Sequence, residues 1–160
     1  MAFQSQVYVE QALGKAGTIS RLNPITKEPM IAEGSAVVAG GFVFAGTNPE
    51  LQVVGASSAT SSAKAVEGLA VMERYQLNRN GFASSMVVNE GEEIAVIKKG
   101  YCYVSVTATA TRGEKVFVNT TTGAIATGSS AGSGEIDTGW VVVTGASAGE
   151  VAEIACKSKE

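Results

Sequence analysis

The sequence predicts an all-β protein, an antiparallel β-sandwich or jelly-roll-like barrel with an extended N-terminal arm, on three observations. From Tyr101 the chain alternates without a slip: Cys102, Val104, Val106, Ala108 and Ala110 fall on one face, and Tyr103, Ser105, Thr107, Thr109 and Thr111 on the other. A period of two rich in Thr, Val and Tyr belongs to a strand with one dry and one wet face. Short apolar runs recur at regular spacing between Gly-rich turns, which is the pattern of packed or closed sheets. The 45% apolar content is dominated by small residues, with only 6% aromatic, so the core is thin and suits sheets better than a helical bundle.

Residues 1–30 are expected to form an arm and a loop, and residues 31–160 the β domain. Phe3, Val7, Tyr8, Val9 and Leu13 anchor an extended arm or a marginal helix, because the Val9–Leu13 spacing is too short to define a helical face. Such an arm docks either on its own domain or on a neighbouring subunit. Residues 18–30 contain Asn23-Pro24 and Glu28-Pro29 and read as turn and loop. Lys15, Arg21 and Lys27 give this region a modest positive charge, suited to a solvated face or to an acidic partner surface.

Ala36–Gly46 and Leu51–Gly55 flank the turn Asn48-Pro49-Glu50 as a hairpin, with Gly40-Gly41 at a bend. Residues 55–64 are a small, polar loop. Over 65–75 a helical stripe (Val66, Leu69, Ala70) competes with the alternation of Leu69, Val71 and Glu73, and Gly68 tips the reading to a strand. Asn78, Asn80 and Gly81 mark a turn, and Ser85–Val88 a short strand. Ile94–Val118 is expected to be the centre of the protein, a long antiparallel hairpin turning at Arg112-Gly113-Glu114. Asn119–Gly123 turns the chain into Ala124–Thr127, and 128–134 is a Gly/Ser loop. Trp140–Thr144 and Val151–Ala155 are two strands joined by a turn at 145–149, before a polar tail.

Composition removes several functions. The net charge of -3, with scattered Lys and Arg, leaves no footprint for nucleic acid or an anionic membrane. The amino terminus lacks the order of a secretion signal and no run is long enough to span a bilayer, which predicts a soluble product made in a cytoplasm. The sequence has no histidine, so Ser-His-Asp and Cys-His pairs and His-containing zinc sites are excluded. Cys102 and Cys156 sit in apolar strand patterns and read as buried hydrophobes rather than a disulfide. Gly128–Gly134 lacks the lysine of a phosphate-binding loop, and Leu13–Thr18 has Gly-Lys without the upstream glycine. Most carboxylates stand beside turn glycines as solvated acids, and Glu92-Glu93 with Lys98-Lys99 reads as a charged edge that blunts strand pairing. No nucleophile, base and orienting group assemble, so neither catalysis nor a cofactor is expected.

Several phrases carry a resemblance: Gly-Leu-Ala-Val-Met at Gly68–Met72, a turn-strand-Gly block over Glu90–Val104, and Gly113–Val118 closing on Thr122-Gly123-Ala124. Ala148–Ile154 completes the set. Together, over roughly residues 35–155, they resemble the structural cement proteins that decorate tailed-bacteriophage heads. The resemblance implies a non-enzymatic protein synthesised in the bacterial host cytoplasm and located on the outer capsid surface of the virion. Its partners would be the major capsid protein and itself, as a homotrimer in preference to a dimer, with no nucleic acid and no membrane. The expected interface is Phe3, Val7, Tyr8 and Leu13 of the arm with Arg21 and Lys27 of the loop. A second reading is a carbohydrate- or receptor-binding β-sandwich using Trp140, Tyr101 and Tyr103 as stacking platforms, although Trp140 opens a Val-Val-Val run and suits a core better. A third is a tail-tube or major shell subunit, which would self-assemble.

Overall fold

Nine strands and no helix organise the described residues of the computed structural model, 14–34, 37–56, 65–72 and 87–156. They are β1 (Ile19–Ala32), β2 (Phe42–Ala45), β3 (Gln52–Gly55), β4 (Val66–Val71), β5 (Glu93–Ser105), β6 (Lys115–Asn119), β7 (Ile125–Gly128), β8 (Glu135–Thr144) and β9 (Val151–Cys156). Hydrogen bonding runs in the order β1-β3-β2-β4-β5-β9-β8-β6-β7, with a further β1–β5 pairing. All pairings are antiparallel except β1 with β3. The β1–β5 pairing closes β1, β3, β2, β4 and β5 into a small barrel, and β9, β8, β6 and β7 extend from β5 as a flap of sheet.

This topology creates two cores. Met30, Val43, Val53, Ala70, Ile94 and Val96, drawn from all five closed strands, form one buried cluster inside the barrel. Phe42, Phe44, Leu69, Val104, Val118, Trp140 and Ile154 belong to a larger one, where the outer face of the barrel meets the flap. Phe42 and Trp140 make an edge-to-face pair there, with ring centroids 6.1 Å apart. β5 serves both cores, with Ile94 and Val96 in the first and Ile97, Cys102 and Val104 in the second. The positions of β5 that belong to the larger core change parity from Ile97 to Cys102 and Val104, and Gly100, at φ +147°, lies between them.

The hairpins β2–β3 and β8–β9 form as the sequence predicts, 66–71 is a strand, and both cysteines are free and buried. Burial pushes the Cys102 thiol up to about 12. Three expectations are corrected. β5 and β6 do not pair: β9 and β8 intervene, so the expected central hairpin is instead the crossing from barrel to flap. Residues 18–30, expected as turn and loop, fall almost wholly in the long strand β1, whose register against β5 shifts between Ile19 and Arg21, between Arg21 and Thr26 and between Thr26 and Lys27, so Pro24 lies in an irregular stretch and Pro29 in the regular pairing that follows it. The charged stretch around Lys98 is not an edge. β5 lies between β1 and β4, and Lys98 Nζ bridges Glu28 at 2.8 Å and Glu67 at 3.5 Å across the three strands. The expected arm, most of the loop over 55–64, the turn at 78–81, the start of the strand over 85–88 and the polar tail lie outside the described residues.

The turn acids are not merely solvated. At Asn89–Glu92, Thr111–Glu114, Gly132–Glu135 and Ser147–Glu150 the glutamate Oε2 accepts the backbone N–H of the residue three earlier, at 3.3, 2.8, 2.7 and 3.0 Å. In each turn the glutamate N–H also donates to the carbonyl of that same residue. The glycine before each glutamate has positive φ (Gly91, Gly113, Gly134, Gly149), and among the described residues no non-glycine residue does, which defines type II turns. Gly-Glu is therefore this chain's turn unit, closed once by backbone and once by carboxylate.

Candidate functional site

The chain enters the fold through a tight seam. Gly17 N–H donates to the Tyr103 carbonyl at 2.9 Å, Met72 N–H donates to the Gly17 carbonyl at 2.8 Å, and Tyr103 N–H donates to the Thr18 carbonyl at 3.0 Å. A Cβ on Gly17, whose φ is +82°, would lie 2.8 Å from the Gly40 nitrogen, and one on Gly14 would collide with the Tyr103 ring. Only glycine lets the backbone pass between β5 and the Gly40 turn.

Just beyond this seam a polar cluster ties β1 to the flap. Glu153 is buried on β9 and accepts hydrogen bonds from Ser20 Oγ (2.6 Å), Arg21 Nε (2.9 Å), Arg21 Nη2 (3.0 Å) and Thr144 Oγ1 (3.2 Å). Burial alone would raise the Glu153 carboxyl. The hydrogen bonds from Arg21 and Ser20, the Arg21 charge and the Thr144 hydroxyl outweigh it and hold the group below the usual carboxylate range. Arg21 is held above its ordinary value, chiefly by the hydrogen bond to Glu153. Its guanidinium lies over the Tyr101 ring, 4.5 Å from the centroid, so a bidentate ion pair and a cation–π contact fix one side chain.

Arg21 and Lys27 both lie on β1, on opposite sides of the bulge at 22–25, so they do not form one basic loop. Phe3, Val7, Tyr8 and Leu13 lie outside the described residues. Trp140 is fully buried and offers no platform to a sugar, and Tyr101 is covered by Arg21. Among the described residues no three His, Cys, Asp or Glu side chains gather to hold a metal, and no helix is long and apolar enough to cross a membrane. Sequence reasoning passed over Glu153 and the glycine seam. The signal for Glu153 was a lone carboxylate inside the apolar run Val151–Cys156, which requires a buried partner.

Residues 3–157 match the model of a phage family described as "Structural cement protein (E217 gp24/Pam3 gp6)". The chain belongs to this family. The fold is similar to a chain in the structure "The capsid of Myoviridae Phage XM1", with 18% identity, 99% of each chain covered and a TM-score of 0.71. A weaker likeness is to "The crystal structure of head fiber gp8.5 N base in bacteriophage phi29", with 11% identity, 85% of this chain and 99% of that chain covered, and a TM-score of 0.47. Among curated proteins no relative matches the sequence significantly. The cement protein is thus a structural component of the phage capsid, built on a doubly cored β scaffold.

Proposed function

We propose that this cement protein binds the outer surface of an expanded phage head as a homo-oligomer, a trimer in preference to a dimer. There it bridges neighbouring major capsid subunits, without catalysis, nucleic acid or membrane. The observation that carries the proposal is the match of residues 3–157 to the structural cement family; the hydrogen-bonded seam at Gly14–Thr18 anchors the chain next to the arm that we assign to the contact. Phe3, Val7, Tyr8 and Leu13 supply the arm's apolar contacts, and Arg21 and Lys27 the polar ones. Many weak contacts repeated over an oligomer reinforce one another through effective concentration.

The test is co-sedimentation with undecorated expanded heads. The protein should be depleted from solution, and deleting residues 2–13 should weaken attachment more than it lowers the unfolding midpoint. Protein that stays in the supernatant would sink the reading, and unchanged attachment after the deletion would remove the arm from it.

A further inference from the structure

We infer that the groove between Arg21 and Arg112 on the outward side of β5, β9 and β8 is a docking site for a capsid-protein segment that presents a carboxylate beside an apolar side chain. The inference rests on the decoration reading and names the chemistry of the partner.

The groove is lined by Arg21, Tyr101, Arg112, Gly139, Val141 and Ala155. Its chemistry runs against the rest of the molecule: the chain carries a net charge of -3, yet two guanidiniums frame an aromatic and apolar floor here. The nearby acids are already engaged internally. Glu153 is held by Ser20, Arg21 and Thr144, and Glu114 Oε2 accepts from Thr111 N–H and Thr127 Oγ1. Among the described residues no hydrogen bond or ion pair engages Arg112, which leaves its five donors for a visitor.

Arg112 is also held in place from its root. It is the second residue of the Thr111–Glu114 turn, which is closed by the Glu114 carboxylate and tied to β8 by Gly113 N–H to the Val142 carbonyl and Val142 N–H to the Glu114 carbonyl, each 2.9 Å. Arg21 is fixed by Glu153 and Tyr101. Arg21 therefore loses little freedom when a carboxylate arrives, and Arg112 reaches it from a fixed backbone position, which favours a charged contact. The apolar half of the partner has two places to go. Val141 is 41% exposed on the floor, and Leu22, the residue after Arg21, is 82% exposed at the β1 bulge. Charge complementarity selects an acidic segment, and the exposed aliphatic groups select one with an apolar neighbour.

The experiment uses full-length Arg112→Glu, Arg112→Lys and Val141→Glu with undecorated expanded heads, with folding checked by thermal unfolding. Arg112→Glu should weaken attachment by about tenfold or more, Arg112→Lys should retain most of it, and Val141→Glu should weaken it comparably. The wild-type attachment should fall as salt is raised. Wild-type binding with Arg112→Glu unaffected overturns the groove and leaves decoration standing. Loss in Arg112→Glu with none in a folded Val141→Glu also overturns the groove, placing the arginine's partner elsewhere. Wild-type protein that fails to bind heads overturns both readings.

Discussion

The barrel and the flap are built on one sheet but packed by different rules. Inside the barrel, the five closed strands are filled by side chains such as Val43, Val53, Ala70, Ile94 and Val96, with Met30 the longest reach. Between barrel and flap the two layers stand far enough apart for Phe42, Phe44 and Trp140. The difference teaches where the few aromatics of a small-residue chain are needed. The closed barrel holds itself together by pairing all round, whereas the flap, open at β7, depends on large side chains wedged beneath it.

The largest effect should come from undermining that wedge. Trp140→Ala should cost about 3–5 kcal/mol in urea unfolding, against about 2 kcal/mol for Val53→Ala in the barrel. Trp140→Phe should cost less than Trp140→Ala, because the indole N–H finds no acceptor among the described residues. Equal costs for Val53→Ala and Trp140→Ala would break the contrast. The close approach of β4 to β5 is next. A Cβ at Gly68 would strike the Ile97 carbonyl and the Val96 side chain, so Gly68→Ala should destabilise by about 1–3 kcal/mol and protect fewer amides of β4 and β5 from exchange.

A smaller effect is expected at the turns. Gly113→Ala should cost about 1–2 kcal/mol, since alanine resists a φ of +91° where space itself is open. The smallest is the tie between flap and β1. Because Glu153 titrates below its ordinary value when folded, its contribution is present above the usual carboxylate pKa of about 4.3 and disappears as pH falls through the folded value. Glu153→Gln should lower stability by about 1 kcal/mol at neutral pH and flatten the acid limb of a stability–pH curve measured by urea titration. An unchanged acid limb would show that Glu153 is not the coupling group.

The same contrast explains what the sequence revealed. Hairpins joined by short turns, β2–β3 and β8–β9, were legible because local pairing needs only two apolar runs and a turn. The alternation from Tyr101 to Ser105 was legible because that part of β5 has one face against the flap core and the other away from it, whereas beyond Ser105 the strand ends and Ala108, expected on the dry face, is exposed. Ile94–Ile97 lost the signal because both faces are covered there, one by each core, so its residues read as a continuous apolar run. The pairing of β5 with β9 rather than β6 is a long-range choice that no local pattern encodes. β1 was hidden by Asn23-Pro24 and Glu28-Pro29, which the strand tolerates beside a bulge and along the barrel wall. Of the candidate interface, Arg21 was visible as a charge, but its pairing with Glu153 joins residues 132 apart, and only the fold brings them together.

The most direct test is a cryo-EM reconstruction of expanded heads incubated with the purified protein. The account predicts ordered density on the outer surface with the face bearing Arg21, Tyr101 and Arg112 turned toward the shell. Bare heads, or bound protein with that face turned to solvent, would contradict it.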